Sequence, residues 1–437
     1  MIFDTGISGL HAAASHLDVV GNNIANSSTV GFKGSRANFG DIYSFGGYSS
    51  GSTSTGNGVM LTNVQQSFAA GTLTNTNNTL DLAISGSGFF ILSNNGATCY
   101  SRAGQFILDN QNFITTTDGK NLRGYQADNA GNITGAIGNL QVNMSNLKPQ
   151  ATSVAKVGAN LNSQSTPPAA DWAGGASPAT DTYNNTTSMT IYDSLGNSHV
   201  LSIYFIYANA AAAAGDPDAA SPAGTTNQWY AAFQIDNQDV PPITTPGNSS
   251  NLYAVNFNSD GSFKSVQDTS GSAIANNLIP MSMTLTNGAN PLNFNVDLTN
   301  CTQFGSPFAV QSASSNGYTT GNLAGLEIST DGIVLGSYSN GQKLAMGQII
   351  LANFANLNGL QNIGDVCWSE SAASGQALIG TPATGSLGAI FSGRLEESNV
   401  DITSELVDLI GAQRDYQANA QTIRAGDTIT QTIINLR

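Results

Sequence analysis

Charge is what this chain has least of. Asp, Glu, Lys and Arg make up 9% of its 437 residues, where about 25% is ordinary. Lys and Arg total 13 against 28 acids, for a formal charge of −15. Between residues 157 and 307 the only Lys or Arg is Lys264, among ten Asp. A nucleic-acid binder needs Lys and Arg to neutralise phosphate, so that function is excluded. An acidic membrane surface is equally unattractive to such a chain. Cysteine is scarce too. Cys99, Cys301 and Cys367 are odd in number and widely spaced, which indicates neither a disulfide framework nor a zinc site. No apolar run approaches the ~18 residues that span a bilayer. The N-terminus has Asp4, no Lys or Arg before Lys33 and no compact apolar core, so it is not a secretory signal. The expectation is a cytosolic protein, or one that leaves by a route that cleaves no signal.

What is present is a polar but uncharged surface of Asn, Ser, Thr, Gly and Gln around 40% hydrophobic residues. Such a surface repels copies of itself very little. The two ends carry a seven-residue rhythm. Phe3, Ile7, Leu10, Ala14, Leu17, Gly21 and Ile24 recur at steps of three and four, as do Ile402, Leu406, Leu409, Gln413, Tyr416, Ala420, Ile423, Asp427, Thr430 and Ile434. Those steps keep a seam on one side of a helix, and a seam requires a partner. The first helix contains Gly6, Gly9 and Gly21, each costing ~1 kcal/mol against Ala. It is marginal alone and depends on packing, so intermolecular packing is favoured over a self-contained amphipathic helix.

Between the ends the pattern is β. Phe32–Tyr43 reads as an irregular or extended arm and residues 44–58 as a Gly/Ser/Thr link. From Leu73 short apolar runs alternate with turns: Leu80–Ile84, Phe89–Leu92, Phe106–Leu108, Phe113–Thr115 and Leu122–Tyr125. That is a β-meander. Residues 162–186 read as a linker. Met189–Tyr192 and Val200–Tyr207 flank a turn at Asp193–Asn197, and the Ala/Pro/Asp stretch 208–224 reads as a surface loop. Trp229–Ile235, Tyr253–Phe257 and the hairpins of 323–354 continue the pattern, and helix is expected to resume at Leu395. The fold class expected is mainly β with terminal α-helices paired as a coiled coil, in a nested multidomain subunit. Its parts are a helical terminal domain of 1–70 with 393–437, an inner β domain of 71–158 with 306–392, and an outer β domain of 159–305.

Catalytic motifs fail on context. Gly47-Tyr48-Ser49-Ser50-Gly51 matches G-x-S-x-G, but a poor helix former follows it. Asn256, Asn258, Asp260 and Gly261 sit where a calcium loop starts, but the twelfth position is Gln267, not Glu, and a hairpin turn is the better reading. Gly86-Ser87-Gly88 is a turn without the third glycine of a dinucleotide loop. His11 and His16 are five apart, wrong for a helical metal pair. No cofactor, metal or catalytic residue is expected. An enzyme would need a polar constellation that is not found, and a secreted β-rich adhesin would leave the paired heptads unexplained.

Ser8-Gly9-Leu10, then Gly21-Asn22-Asn23-Ile24-Ala25-Asn26 and Thr29-Val30-Gly31-Phe32-Lys33, resemble the N-terminal signature of bacterial flagellar axial proteins of the rod and hook. The other end resembles that family independently, in Gly393-Arg394-Leu395-Glu396-Glu397-Ser398-Asn399-Val400-Asp401 and Gln413-Arg414-Asp415-Tyr416-Gln417-Ala418-Asn419. Leu80–Leu92, Tyr100–Phe106, Tyr338–Gly341 and Leu351–Phe354 are also similar to it. A central insert of about 150 residues points within the family to subunits of the hook rather than the distal rod. The resemblance implies a curved, hollow helical homopolymer that transmits torque as a universal joint, outside the cell, exported without a cleaved signal. It implies partners in the distal rod protein, the hook–filament junction protein, the hook cap protein and the flagellar export apparatus, with no nucleic acid and no membrane insertion. It places the assembly interface at Ile7, Leu10, Ala14, Leu17, Asn22, Asn23, Ile24, Asn26 and Phe32, and at Leu395, Ser398, Asn399, Val400, Leu406, Leu409, Gln413, Arg414, Tyr416, Ile423 and Ile434.

Overall fold

A computed structural model describes residues 2–42, 56–170, 172, 177–207, 227–240, 252–268 and 272–435. The G-x-S-x-G match and the 208–224 stretch lie outside them. Helix α1 spans Ile2–Ala25 and helix α2 spans Ile402–Asn435. Every other long element is a strand. The fold is therefore mainly β with a helix at each end, as expected.

The described residues gather into two compact units. The first comprises Met1–Met144, Ala324–Ser337 and Lys343–Arg437. Both ends of the chain are in it, and they are stitched together strand by strand. Leu73–Asn75 pairs antiparallel with Arg394–Glu396, and Leu82–Ser85 with Ala389–Ser392. Phe89–Asn94 pairs with both Ala97–Ser101 and Leu351–Asn353. The core here is aromatic. Phe89, Tyr100, Phe354 and Trp368 meet edge to face at centroid distances of 4.8–6.0 Å, the arrangement that ring quadrupoles favour.

The second unit comprises Ser145–Leu323 and Tyr338–Gln342. One sheet is antiparallel, built from Asn185–Tyr192, Ser198–Tyr207, Gln228–Ile235, Leu252–Phe257 and Phe263–Gln267. The other is mixed. Its central strand, Val154–Asn162, pairs parallel with Leu292–Asp297 and Thr302–Phe304 and antiparallel with Ala309–Ser315. Inward residues of both sheets fill one apolar core. In Ser198–Tyr207 the alternation is visible directly, with His199, Leu201, Ile203 and Phe205 buried between more exposed neighbours, the period of a half-buried strand. The Asn258–Gly261 turn joins Leu252–Phe257 to Phe263–Gln267, so this stretch is a hairpin.

One local reading is resolved and another corrected. The arm after residue 32 is extended rather than irregular: Ser35–Asp41 pairs antiparallel with Val59–Gln66, with a bulge after Asn38. Phe39 and Ala37 carry too few apolar neighbours in sequence for the strand to stand out. Helix does not resume at Leu395, which lies in the strand Arg394–Glu396. It resumes at Ile402, where the Asp401 carboxylate accepts from Thr403 N at 2.9 Å, the arrangement of an N-cap.

Candidate assembly site

α1 and α2 pack antiparallel. Gly6 lies against Ile423, Gly9 against Asn419, and Asn23 donates to the Glu405 carboxylate at 3.0 Å. Ala13 and Val20 on α1, and Ala412 and Gly426 on α2, are buried. The contacting positions step by threes and fours along both helices, the spacing of a coiled-coil seam. Glycine is what lets the backbones approach. A Cβ on Gly6 would stand 2.9 Å from Ile423 Cγ1, and one on Gly9 2.4 Å from Asn419 Oδ1. The glycines that weaken α1 in isolation are thus the ones that make its packing possible.

The stripe that faces α2 is Gly6, Gly9, Ala13, Val20 and Asn23, not the apolar rhythm read from sequence. That apolar stripe lies beside it. Phe3 is 38% exposed and Ile7 46%, while Leu10, Ala14, Leu17 and Ile24 are half-buried and Asn22 is exposed. On α2, Ile423 is half-buried against Gly6 of α1 and Leu409 is half-buried, whereas Ile402, Leu406, Tyr416 and Ile434 are exposed, as are Gln413 and Arg414.

Beneath the helices sits a buried charge cluster. Lys33 Nζ lies 2.6 Å from Glu396 Oε1, and Arg102 lies 3.0 Å from Glu396 Oε2. Lys33 also donates to the Ala69 carbonyl at 2.7 Å, Gly71 N donates to Glu396 at 2.9 Å, and Arg102 donates to the Gly86 carbonyl at 2.7 Å. Burial disfavours the charged carboxylate, but Arg102 and Lys33 outweigh it and hold Glu396 below the usual carboxylate range. Burial holds Lys33 below the ordinary lysine value, against the pull of Glu396. Each of the three comes from a different segment: the N-terminal stretch, the internal Tyr100–Phe106 run and the C-terminal stretch.

Asparagines finish the junction. Asn23 donates to the Ser35 carbonyl at 2.7 Å and accepts from Ser35 N at 2.9 Å. Asn399 accepts from Gly34 N at 2.8 Å and donates to the Ser67 carbonyl at 2.8 Å and to that of Ala69 at 3.1 Å. Asn26 donates to the Asn22 carbonyl at 3.0 Å and accepts from Thr29 at 3.2 Å, closing the end of α1. Leu395 and Ser398 are buried, and Phe32 and Val400 half-buried, in the same region. Gly31, at φ +72°, donates to the Glu396 carbonyl at 2.7 Å. A Cβ there would come within 2.6 Å of Ala103 N. Sequence reasoning quoted Lys33, Arg102 and Glu396 within motifs but gave them no role. Their signal was scarcity, because the chain carries little charge and Arg102 in particular is an isolated charge in its stretch.

This junction joins distant segments of one chain beside exposed helical faces, the construction of an assembling subunit. Family models match along most of the chain. The flagella basal body rod protein model covers residues 3–33 and the flagellar hook protein FlgE/F/G D1 domain 83–159. The flagellar basal body protein FlaE D2 domain covers 160–318, and the flagellar basal body rod FlgEFG protein C-terminal model 392–436. Together they define an axial protein of the bacterial flagellum. Flagellar hook protein FlgE of Escherichia coli is 38% identical with 100% of each chain covered. That of Treponema pallidum is 31% identical over 99% of this chain and 98% of its own. The crystal structure of Helicobacter pylori flagellar hook protein FlgE2 shares the fold, with a TM-score of 0.51 at 13% identity over 74% of this chain and 100% of that one. The chain belongs to the flagellar hook protein family and is a structural subunit of the flagellum.

Proposed function

We propose that copies of this chain stack helically into the curved, hollow hook, a flexible joint carrying torque from rod to filament. The observation that carries this is a set of apolar side chains, Phe3 and Ile7 on α1 and Ile402, Leu406 and Ile434 on α2, that remain exposed after α1 and α2 have packed. Exposed apolar stripes on helices mark surfaces that a partner covers. In this reading 1–70 with 393–437 lines the channel, 71–158 with 306–392 forms the wall, and 159–305 covers the outside. The matched segments 3–33, 83–159, 160–318 and 392–436 support that division. The uncharged Asn/Ser/Thr surface suits sliding between neighbours, because few ion pairs would break as the tube bends. The same ends would order only on assembly, which suits export of an unfolded chain without a cleaved signal. Distal rod, junction and cap proteins would meet the two ends of the tube.

The test is polymerisation. Ile7→Asp with Leu406→Asp places charges among these exposed side chains without touching the α1–α2 contacts. Electron microscopy should show tubes from the unaltered protein and none from the variant, whose β units should still melt cooperatively. Unaltered tube formation by the variant refutes the reading. Limited proteolysis supplies a second check: residues 1–30 and 400–437 should be cut in monomers and protected in tubes.

A further inference from the structure

One end of the second unit is closed by a charged network. His199 follows the inward pattern of Leu201, Ile203 and Phe205 along its strand, so its ring sits at the end of the apolar core. Asp193, in the turn before that strand, lies 3.4 Å from His199 Nε2, and Asp236, in the turn after Gln228–Ile235, lies 2.6 Å from Nδ1. A ring that meets a carboxylate at each nitrogen donates from both and carries both protons. The two acids differ. Asp236 is 43% exposed and accepts from Val200 N at 2.9 Å. The Asp193 side chain is fully buried and accepts from Leu195 N, Asn197 N and Asn197 Nδ2, each at 2.9 Å. It also accepts from Asn287 Nδ2 at 2.7 Å, and Asn290 N donates to Ser194 Oγ at 2.9 Å. Asn287 and Asn290 belong to the loop between Leu278–Met283 and Leu292–Asp297 of the mixed sheet. The line from His199 through Asp193 to Asn287 thus runs from the antiparallel sheet to the mixed one. Gly196, in the same turn, packs on the connecting segments: a Cβ there would stand 2.8 Å from Pro149 Cβ and 3.4 Å from Thr319 Oγ1. Those segments carry the chain into and out of the unit and bridge at Leu147–Gly321 and Gln150–Tyr318.

We propose that His199 is a proton-operated tie across this end of the second unit, closed while the ring is an imidazolium and released when it loses a proton. Neutral imidazole keeps one N–H. The short bond to Asp236 retains it, so Nε2 turns a lone pair toward the Asp193 carboxylate. That carboxylate is fully buried and cannot exchange its lost cation for water, and an unpaired buried charge is costly. Asp193 stays bonded to its own turn and to the mixed-sheet loop, so it moves with them, and the contact that gives way is the one to His199. The 193–197 turn and the 284–291 loop then loosen, and the segments at Pro149 and Thr319 lose part of their support. Asp193 and Asp236 are the charged groups that face the ring, and the mixed-sheet loop brings the uncharged Asn287 to it through Asp193. Burial opposes the ring's charge, but hydrogen bonds to Asp236 and Asp193 outweigh it and hold the pKa above the ordinary histidine value. The tie is therefore closed below that ordinary value and opens as pH rises through the folded one.

Hydrogen exchange of the full, unpolymerised chain should be followed by mass spectrometry from about pH 6 to about pH 9, the range in which such a histidine discharges. Rates are corrected for the intrinsic effect of pH on exchange. Peptides covering 193–197, 284–291 and 147–152 should exchange about tenfold faster above the transition, the effect of one lost hydrogen bond to a charged group. Peptides from Trp229–Ile235 should stay protected throughout. His199→Gln, uncharged at every pH, should exchange fast in the three peptides over the whole range. Asp236→Asn removes one of the two carboxylates and should move the transition to lower pH. Should His199→Gln not fold, the Asp236→Asn shift remains the test. Corrected exchange that does not change with pH, a transition that survives in His199→Gln, or one that stays in place in Asp236→Asn overturns the proposal.

Discussion

Lys33 and Glu396 are 363 positions apart in the chain and 2.6 Å apart in space, both with fully buried side chains. Removing one member of such a pair leaves an uncompensated charge, which costs about 3–5 kcal/mol. Lys33→Met is expected to lower stability by that amount in urea denaturation. Glu396 works in the same direction with pH. Its carboxyl is held low when folded, so its stabilisation is present above the unfolded value and lost as pH falls through the folded one. Acid should therefore destabilise the native protein more than a Glu396→Gln variant. Equal acid sensitivity of the two would show that the cluster does not contribute.

Gly104 tests how closely the segments are stitched. A Cβ there would stand 1.6 Å from the Leu82 carbonyl oxygen, and the Gly104 carbonyl accepts from Leu82 N at 2.9 Å. Gly104→Ala should cost at least about 3 kcal/mol, the range of severe core strain. Gly119, at φ +82° with open space around it, should lose only about 1 kcal/mol as Ala. Similar denaturation midpoints for the two variants would contradict the packing described.

Gly9→Leu addresses the helix pair. No room exists beside Asn419, so the side chain would force the helices apart at a cost of about 1–3 kcal/mol. That corresponds to a rise of roughly fivefold to 150-fold in the concentration needed for polymerisation. Sedimentation of polymer against protein concentration measures it. An unchanged threshold would mean that the α1–α2 contact is not used in the polymer.

His199 makes the second unit sensitive to mildly alkaline pH. Its ring lies 2.6 Å from Asp236 and 3.4 Å from Asp193. Burial opposes its charge, but hydrogen bonds and attraction from Asp236 and Asp193 outweigh that and raise its pKa. The contribution is full below the unfolded histidine value and disappears as pH rises through the folded one. The melting temperature of the second unit should decline from pH 6 to pH 8.5, and His199→Gln should flatten that decline. A parallel decline in the variant would assign it to other groups.

Much of this architecture was legible. The helical ends showed through heptad spacing, and the hairpins through turn residues such as Asp193–Asn197 and Asn258–Gly261, because both signals are local. The Ser35–Asp41 strand was not legible, since its stability comes from the partner Val59–Gln66 rather than from its own residues. The beginning of α2 was misplaced because Leu395 is apolar in either element, and only its pairing with Thr74 makes it a strand residue.

The sequence by itself determined the helical ends, most of the strands and turns between them, and the family signatures at both ends. Each of these depends on which residues stand within a few positions of one another. Tertiary structure alone decided that the small residues Gly6 and Gly9 of α1, and not its apolar rhythm, meet Ile423 and Asn419 of α2. It alone brought Lys33, Arg102 and Glu396 into one buried cluster. Those relations depend on how chain segments hundreds of residues apart pair as strands, and spacing along one sequence carries no record of that.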